Sequence, residues 1–353
     1  MAGHLFPLDS SKRPANPVLR GVLLGLVNAD ESFIQNRVLP IAPTTADVLA
    51  GAEGYWTGVM RAYQDHTLFG DPNAREEVAP LEDVPTSIGA QLTSVSFRCR
   101  EYARDALIPT SDIAKLNDTP SNSMAINAMS AYLSKVITEM MILRERRVAE
   151  LFFTASNWTN NTTPGTKWDL ATSDPIGDIE TAVETVAGYG RMPNVCILGR
   201  QAYRTLRQSN PFLEFRSTDS DRSIMNAGRV GEVLRQDFGI QHTFVGRAVY
   251  NTDQTYTESG LSLSDIWGDN MWIGYLPMGN DGMPSSVGTP MGDGEVVVTP
   301  SAVARIVGKE WSTSELPEGA YAAKRARAVR VEHWEDLLVA QDFLGYLLTD
   351  VTT

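Results

Sequence analysis

The chain has 353 residues, 42% of them hydrophobic, with 43 acidic against 30 basic side chains and a formal net charge of -13. That length exceeds what one core usually serves, so more than one lobe is expected; the acidic balance excludes a tight grip on a phosphate backbone, which needs clustered Lys and Arg. Two cysteines, Cys99 and Cys196, are too few to staple a fold and lie in apolar strand patterns, where they read as reduced core residues in a reducing cytoplasm.

Residues 1–50, rich in Pro, Asn and Ala, read as an arm that needs a neighbour to be ordered. Arg20 interrupts the apolar run Val18–Val27, and Pro14 and Pro17 precede it, so the run does not read as a secretory leader. No apolar run reaches the length of a membrane helix. Strands are predicted over Tyr55–Tyr63 and Thr93–Tyr102, the second with Val95, Phe97 and Cys99 on one face and Ser96, Arg98 and Arg100 on the other. The long connection between them, containing GDPNAREEVAPLEDVPTS, has few apolar anchors and is expected to be an extended loop. An isolated hairpin is marginal in water, so this one is expected to lie on another subunit, with Arg75, Glu76 and Glu77 as candidate contact residues.

Ser123–Phe153 carries Ile126, Met129, Leu133, Val136, Met140 and Leu143 at spacings of three and four, continued by Val148 and Phe152. That pattern predicts a scaffold helix about 45 Å long. Its charged turn Arg144, Glu145, Arg146, Arg147 reads as a solvated face, with Glu139 and Glu150 in pairing range. The alternative is a subunit contact through Arg144, Arg146 and Arg147.

After a polar linker with Asn160, Asn161 and Pro164, Asp174 is placed to cap a helix with Pro175 in its first position, a buried stripe of Ile176, Ile179, Val183 and Val186, and an end at Gly188 or Gly190. A strand over Asn194–Leu198, helices near Gln201–Gln208 and Gly228–Phe238, and strands over Ile240–Val249 and Met271–Leu276 complete a mixed α/β lobe. Gly274–Gly294 is expected to be an exposed loop, and Glu295–Lys309 and Ala328–Leu348 long strands. Lys324, Arg325, Arg327 and Arg330 form the one dense positive run, read as the charged face of a strand and open to subunit pairing or to contact with DNA.

His4, His66, His242 and His333 are scattered and are expected at surface or edge positions, without metal-ligand spacing. There is no G-x-S-x-G elbow, P-loop or dinucleotide fingerprint, and the acidic pair Glu335 and Asp336 reads as solvated charge. No catalytic, cofactor or metal residue is assigned. The aromatics never interleave with a basic cluster, which argues against a base-stacking platform.

NPVLRGVLLGLVNADESFIQNRVLPIAP, RERRVAELFF, WDLATSDPIGDIETAV, RMPNVCILGRQAYRTLRQSNPFLEF, GRVGEVLRQDFGIQHTFVGRAVYNT, LSDIWGDNMWIGYLP and VRVEHWEDLLVAQDFLGYLL, in this order, resemble segments of the major capsid proteins of tailed double-stranded DNA bacteriophages. The resemblance implies an α+β fold of the Hong Kong phage type. Its parts are an N-terminal arm (1–50), an extended β-hairpin loop (51–108), a peripheral domain with a spine helix (109–172), an axial domain (173–294), and peripheral strands with the C-terminal segment (295–353). It implies a non-enzymatic protein that assembles into hexamers and pentamers of an icosahedral shell, with scaffolding, portal and cement proteins as partners. It also implies a virion location after assembly in the bacterial cytoplasm, and double-stranded DNA enclosed without sequence-specific contact. Because residues 70–87 lack lysine, a covalent crosslink from the loop is not expected. An encapsulin-like compartment on the same fold, an α/β enzyme with a scattered site and a carbohydrate-binding module using exposed tryptophans are the alternatives.

Overall fold

The structure is a computed structural model that describes residues 13–14, 33–42, 56–63, 92–111, 122–209, 227–252, 262–279, 282–287, 289–291, 295–298, 300–316 and 326–353. The expected loop with Arg75, Glu76 and Glu77 lies outside them, as do Lys324, Arg325, His4 and His66.

In chain order the elements are β1 (Arg13–Pro14), the single turn α1 (Gln35–Val38), β2 (Ile41–Ala42), β3 (Trp56–Tyr63), β4 (Leu92–Pro109) and the long helix α2 (Asn122–Phe153). They continue as β5 (Asn160–Thr162), α3 (Pro175–Ala187), β6 (Val195–Gly199), α4 (Arg200–Gln208), α5 (Ala227–Asp237), β7 (His242–Gly246), β8 (Val249–Asn251), β9 (Leu263–Asp265) and β10 (Met271–Gly274). The last are β11 (Thr289–Met291), β12 (Glu295–Val298), β13 (Val303–Glu315), β14 (Ala326–Val339) and β15 (Gly345–Leu348).

Among the described residues the strands form an eight-stranded sheet in the order β1-β13-β14-β4-β3-β12-β11, with β2 on β13, a five-stranded sheet β5-β15-β10-β6-β7, and the ribbon β8-β9. β4 runs well past the predicted Tyr102 because it serves two partners: Leu92–Cys99 pairs with β3 and Arg100–Pro109 with β14. Phe97 and Cys99 are buried in its first half, Ala106 and Ile108 in its second. Odd positions face a core in one half and even positions in the other, so the alternation slips phase where the partner changes.

Every residue of β6 is buried because both faces of its sheet are covered. Cys196 and Leu198 pack with α3, α4 and α5, while Val195 and Ile197 pack with Val148 and Phe152 of α2 and with Trp158, Trp267 and Trp272. Asp174 caps α3 as its sequence predicts, accepting a 3.0 Å hydrogen bond from the Gly177 amide. At the β6–α4 junction, a Cβ on Gly199 would sit 2.2 Å from the Gly268 carbonyl oxygen, so only glycine fits.

Helix α2 bridges the two sheets. Leu133, Ile137, Met140 and Met141 lie over Ala106, Ile108, Val329 and Val331 of the large sheet, and Val148 and Phe152 reach the five-stranded one. The expected stripe needs correction here: Leu143 is 41% exposed, and Arg144 and Glu145 occupy the buried face instead. The long C-terminal strands are also interrupted. The segment 295–309 divides into β12 and β13; 328–348 divides at a 3-10 turn, Asp342–Leu344, after which β15 joins the smaller sheet. Within the expected loop 274–294, Leu276 and Val287 are buried, and the Val287 amide donates to the Ile41 carbonyl at 2.9 Å.

Candidate functional site

On a helix, positions 137, 141, 144, 145, 148 and 152 share one face, and in α2 the two charged members, Arg144 and Glu145, are 0% exposed. The solvated reading of this turn is therefore wrong for both. Arg144 donates from Nε to the two carboxylate oxygens of Glu335 on β14 at 2.9 and 3.0 Å, and from Nη1 to Asn36 Oδ1 at 2.6 Å. Arg305 of β13 donates to the same carboxylate at 2.9 Å, and Arg147 reaches it at 3.3 Å. Arg305 is two residues from Val307, the register partner of Glu335, which makes this a diagonal cross-strand pair.

His333 completes the hub. It is 1% exposed, stacked 4.1 Å from Trp311 and 5.3 Å from Tyr102, with Nε2 3.5 Å from Glu335. Its expected surface position, and the solvated reading of Glu335, are both overturned: each closes a gap between helix and sheet that an apolar side chain would otherwise fill. Arg147 lies 3.6 Å over the Tyr102 ring.

Glu145 serves the other side of the helix turn. Its carboxylate accepts from the amides of Ile34 and Gln35 at 3.0 and 2.9 Å and from the Trp267 indole at 2.7 Å. Ile34 is the N-cap of α1 and has no side-chain capping hydrogen bond. A carboxylate more than a hundred residues downstream thus satisfies the free amides at the start of that turn, where negative charge is favoured.

The electrostatics follow from burial and neighbours. Burial pushes the Glu335 carboxyl up, but Arg144, the His333 ring and Arg305 together reverse this and hold it well below the usual carboxylate range. Burial pulls Arg144 down to about 10, still cationic at neutral pH, and pushes Glu145 up to about 7 against its three hydrogen bonds. Burial also lowers His333, favouring the neutral ring. This arrangement is suited to fixing geometry: the Glu335 carboxylate is held by three guanidiniums and the Glu145 carboxylate by two amides and an indole.

Of the residues picked from sequence, Arg144 and Arg147 meet in this hub. Arg146 is exposed, paired with Glu150 at 3.1 Å and lying 5.2 Å over the Tyr250 ring. Arg330 makes a bidentate contact with Asp105 across the β4–β14 pair at 2.7 and 3.1 Å, and Arg327 stands on β14 opposite Ile108. The sequence reading missed Glu145, Arg305, His333 and Glu335 as partners; the available signal was a charged pair placed three and four residues after Met141 on an apolar stripe. Trp158, Trp168, Trp267, Trp272 and Trp311 are buried, which removes the exposed-tryptophan basis for carbohydrate binding at those positions. Among the described residues no cluster of His, Cys, Asp and Glu could hold a metal ion, and no helix is long and apolar enough to cross a membrane.

No family model matches the chain. It is 28% identical over 148 residues to the major capsid protein of Burkholderia phage BcepMu, a match that takes in 40% of this chain and 45% of that protein, so about half of the relative's length is spanned. The crystal structure of a phage-related protein from Bordetella bronchiseptica aligns over 96% of this chain and 98% of its own, with a TM-score of 0.66 and 18% identity. The capsid of Myoviridae phage XM1 aligns over 90% and 91% at 10% identity, with a TM-score of 0.45. By fold, then, the chain falls in the α+β class of the phage-related Bordetella protein, in keeping with the fold class implied by its sequence. By sequence it is similar to a phage major capsid protein, and the resemblance read from its segments is borne out.

Proposed function

We propose that the chain is the major capsid protein of a tailed double-stranded DNA bacteriophage, forming hexamers and pentamers that close an icosahedral shell around the genome. The observation that carries this reading is the similarity to the BcepMu capsid protein. The architecture supports it: a helix of 32 residues, braced to the large sheet by a buried ion pair and packed on the smaller sheet through apolar side chains, is a stiff tile. Identical tiles meeting head to tail close into rings. Contacts of ordinary size, on the order of 1,600 Å² each, hold strongly when every subunit makes several. In this reading the arm, extended loop, peripheral and axial domains keep the bounds given above. Of the ten candidates for subunit contact, Arg144, Arg147 and Arg330 pair with other elements within the chain, which leaves Arg75, Glu76, Glu77, Arg146, Lys324, Arg325 and Arg327; scaffolding, portal and cement proteins are partners, DNA is enclosed without sequence-specific binding, and the protein is a virion component without catalysis.

Sedimentation and negative-stain electron microscopy of the purified chain, alone and with a co-expressed scaffold, test this. Rings of five or six, tubes or closed shells are expected. A monomer of 38.7 kDa under every condition would overturn the proposal.

A further inference from the structure

Helix α4 carries Arg200, Arg204 and Arg207 at spacings of four and three, which places them along one stripe with neighbouring Cβ atoms about 5–6 Å apart. Arg247, immediately after β7, joins them around a cleft of about 400 Å³ that Tyr203, Gln208 and Val245 also line. Arg200 pairs with Asp265 at 3.4 Å; the other three arginines have no carboxylate partner among the described residues. Two polar atoms in the cleft wall, the Tyr203 hydroxyl and Arg207 Nε, are buried without a hydrogen-bond partner, and Tyr203 is 8% exposed. In a chain of net charge -13, four guanidiniums gathered with one carboxylate are conspicuous. Like charges at this spacing repel, and buried unpaired donors are costly.

We propose that this cleft binds a small multivalent phosphate anion of the pyrophosphate or polyphosphate class. Planar guanidinium forks match phosphate oxygens in pairs, and an anion with several charged oxygens can engage arginines from both walls at once, whereas a single carboxylate occupies one fork. The volume lies in the small-ligand range. A duplex is disfavoured because the surrounding acidic chain repels its extended backbone. This inference does not depend on the capsid reading, since binding is measured on the dissociated chain.

Isothermal titration of the full chain with inorganic pyrophosphate, at constant ionic strength, is expected to give saturable one-site binding, and tripolyphosphate to bind more tightly. Arg204→Gln and Arg207→Gln should each weaken binding roughly tenfold or more. Arg204→Lys should retain part of the affinity, and Arg235→Gln, on α5 outside the cleft, should leave it unchanged. Circular dichroism establishes that each variant is folded; Arg207→Lys replaces Arg207→Gln if the latter is not. Absence of saturable binding, or equal weakening by Arg235→Gln, would overturn the proposal. So would a parent protein indifferent to pyrophosphate whose Arg204→Gln variant fails to self-associate, which assigns the cleft to carboxylates of a second copy.

Discussion

The indole of Trp267 donates a 2.7 Å hydrogen bond to the carboxylate of Glu145, 122 residues earlier in the chain. Because the same carboxylate caps α1, one side chain ties together the N-terminal segment, the long helix and the α/β lobe. The Cβ end of the same side chain is confined by a strand: a Cβ on Gly246 would lie 2.1 Å from Trp267 Cγ. The position of Trp267 is thereby fixed at both ends.

Gly246→Ala is therefore expected to push the indole from Glu145 and to destabilise the lobe by about 1–3 kcal/mol through overpacking, with the lost hydrogen bond in addition. Thermal unfolding followed by tryptophan fluorescence reads the effect. A midpoint equal to that of the parent would show that Trp267 can relocate freely.

Arg144→Met leaves Glu335 with fewer cations in a dry site and is expected to cost roughly 3–5 kcal/mol. Arg144→Met combined with Glu335→Gln should cost less than the sum of the single variants, because neither then strands the other's charge. Denaturant unfolding measures this, with fluorescence and circular dichroism required to give coincident transitions. Additive costs would mean that the two side chains act independently.

The two buried carboxylates impose opposite pH dependences. Glu145 has a folded pKa of about 7 against an ordinary 4.5, so between those values the folded chain holds a proton that the unfolded chain has released, and its contribution to stability falls as pH rises. Glu335, depressed in the fold, contributes stability that is present above its ordinary pKa and lost as pH falls through the folded value. His333, lowered by burial, favours the fold increasingly as pH rises toward its ordinary value. Subtracting the stability profile of Glu145→Gln from that of the parent isolates the first group: the difference should decline from about pH 4.5 to 7. A flat difference would count against the raised value.

Deleting Asp71–Pro85 is expected to leave a folded subunit with the parent's circular dichroism but poor assembly in sedimentation. Normal shells from the deletion would remove the loop from the assembly contacts.

Much of the frame was legible because it is local. The Asp-Pro start of α3, the apolar run of β6 and the glycine at its end each carry their own chemistry, and the structure places all three where the sequence does. The hub was not legible for the opposite reason. Arg144 and Glu335 are 191 residues apart, and neither shows in its own neighbourhood that it will be buried. What the sequence did contain was the phase of the helix: continuing the three-and-four spacing from Leu133 through Ile137 and Met141 reaches Glu145, whereas following Leu143 led to the solvent side. The arginine stripe on α4 was likewise hidden by counting dense runs in the sequence, since its members are adjacent only on a helix and Arg247 comes from elsewhere.

In the smaller sheet, β15 lies between β5 and β10, and β5 has no other strand partner among the described residues. The ribosome makes β15 after every other strand of that sheet. At about 5–20 residues per second, roughly 7–30 s pass between the emergence of β6 and that of β15. Throughout that interval the central strands expose an edge, so the nascent chain cannot close its lobe early. A chain that stops before residue 345 therefore lacks β15, leaving β5 without its strand partner and β10 with an open edge.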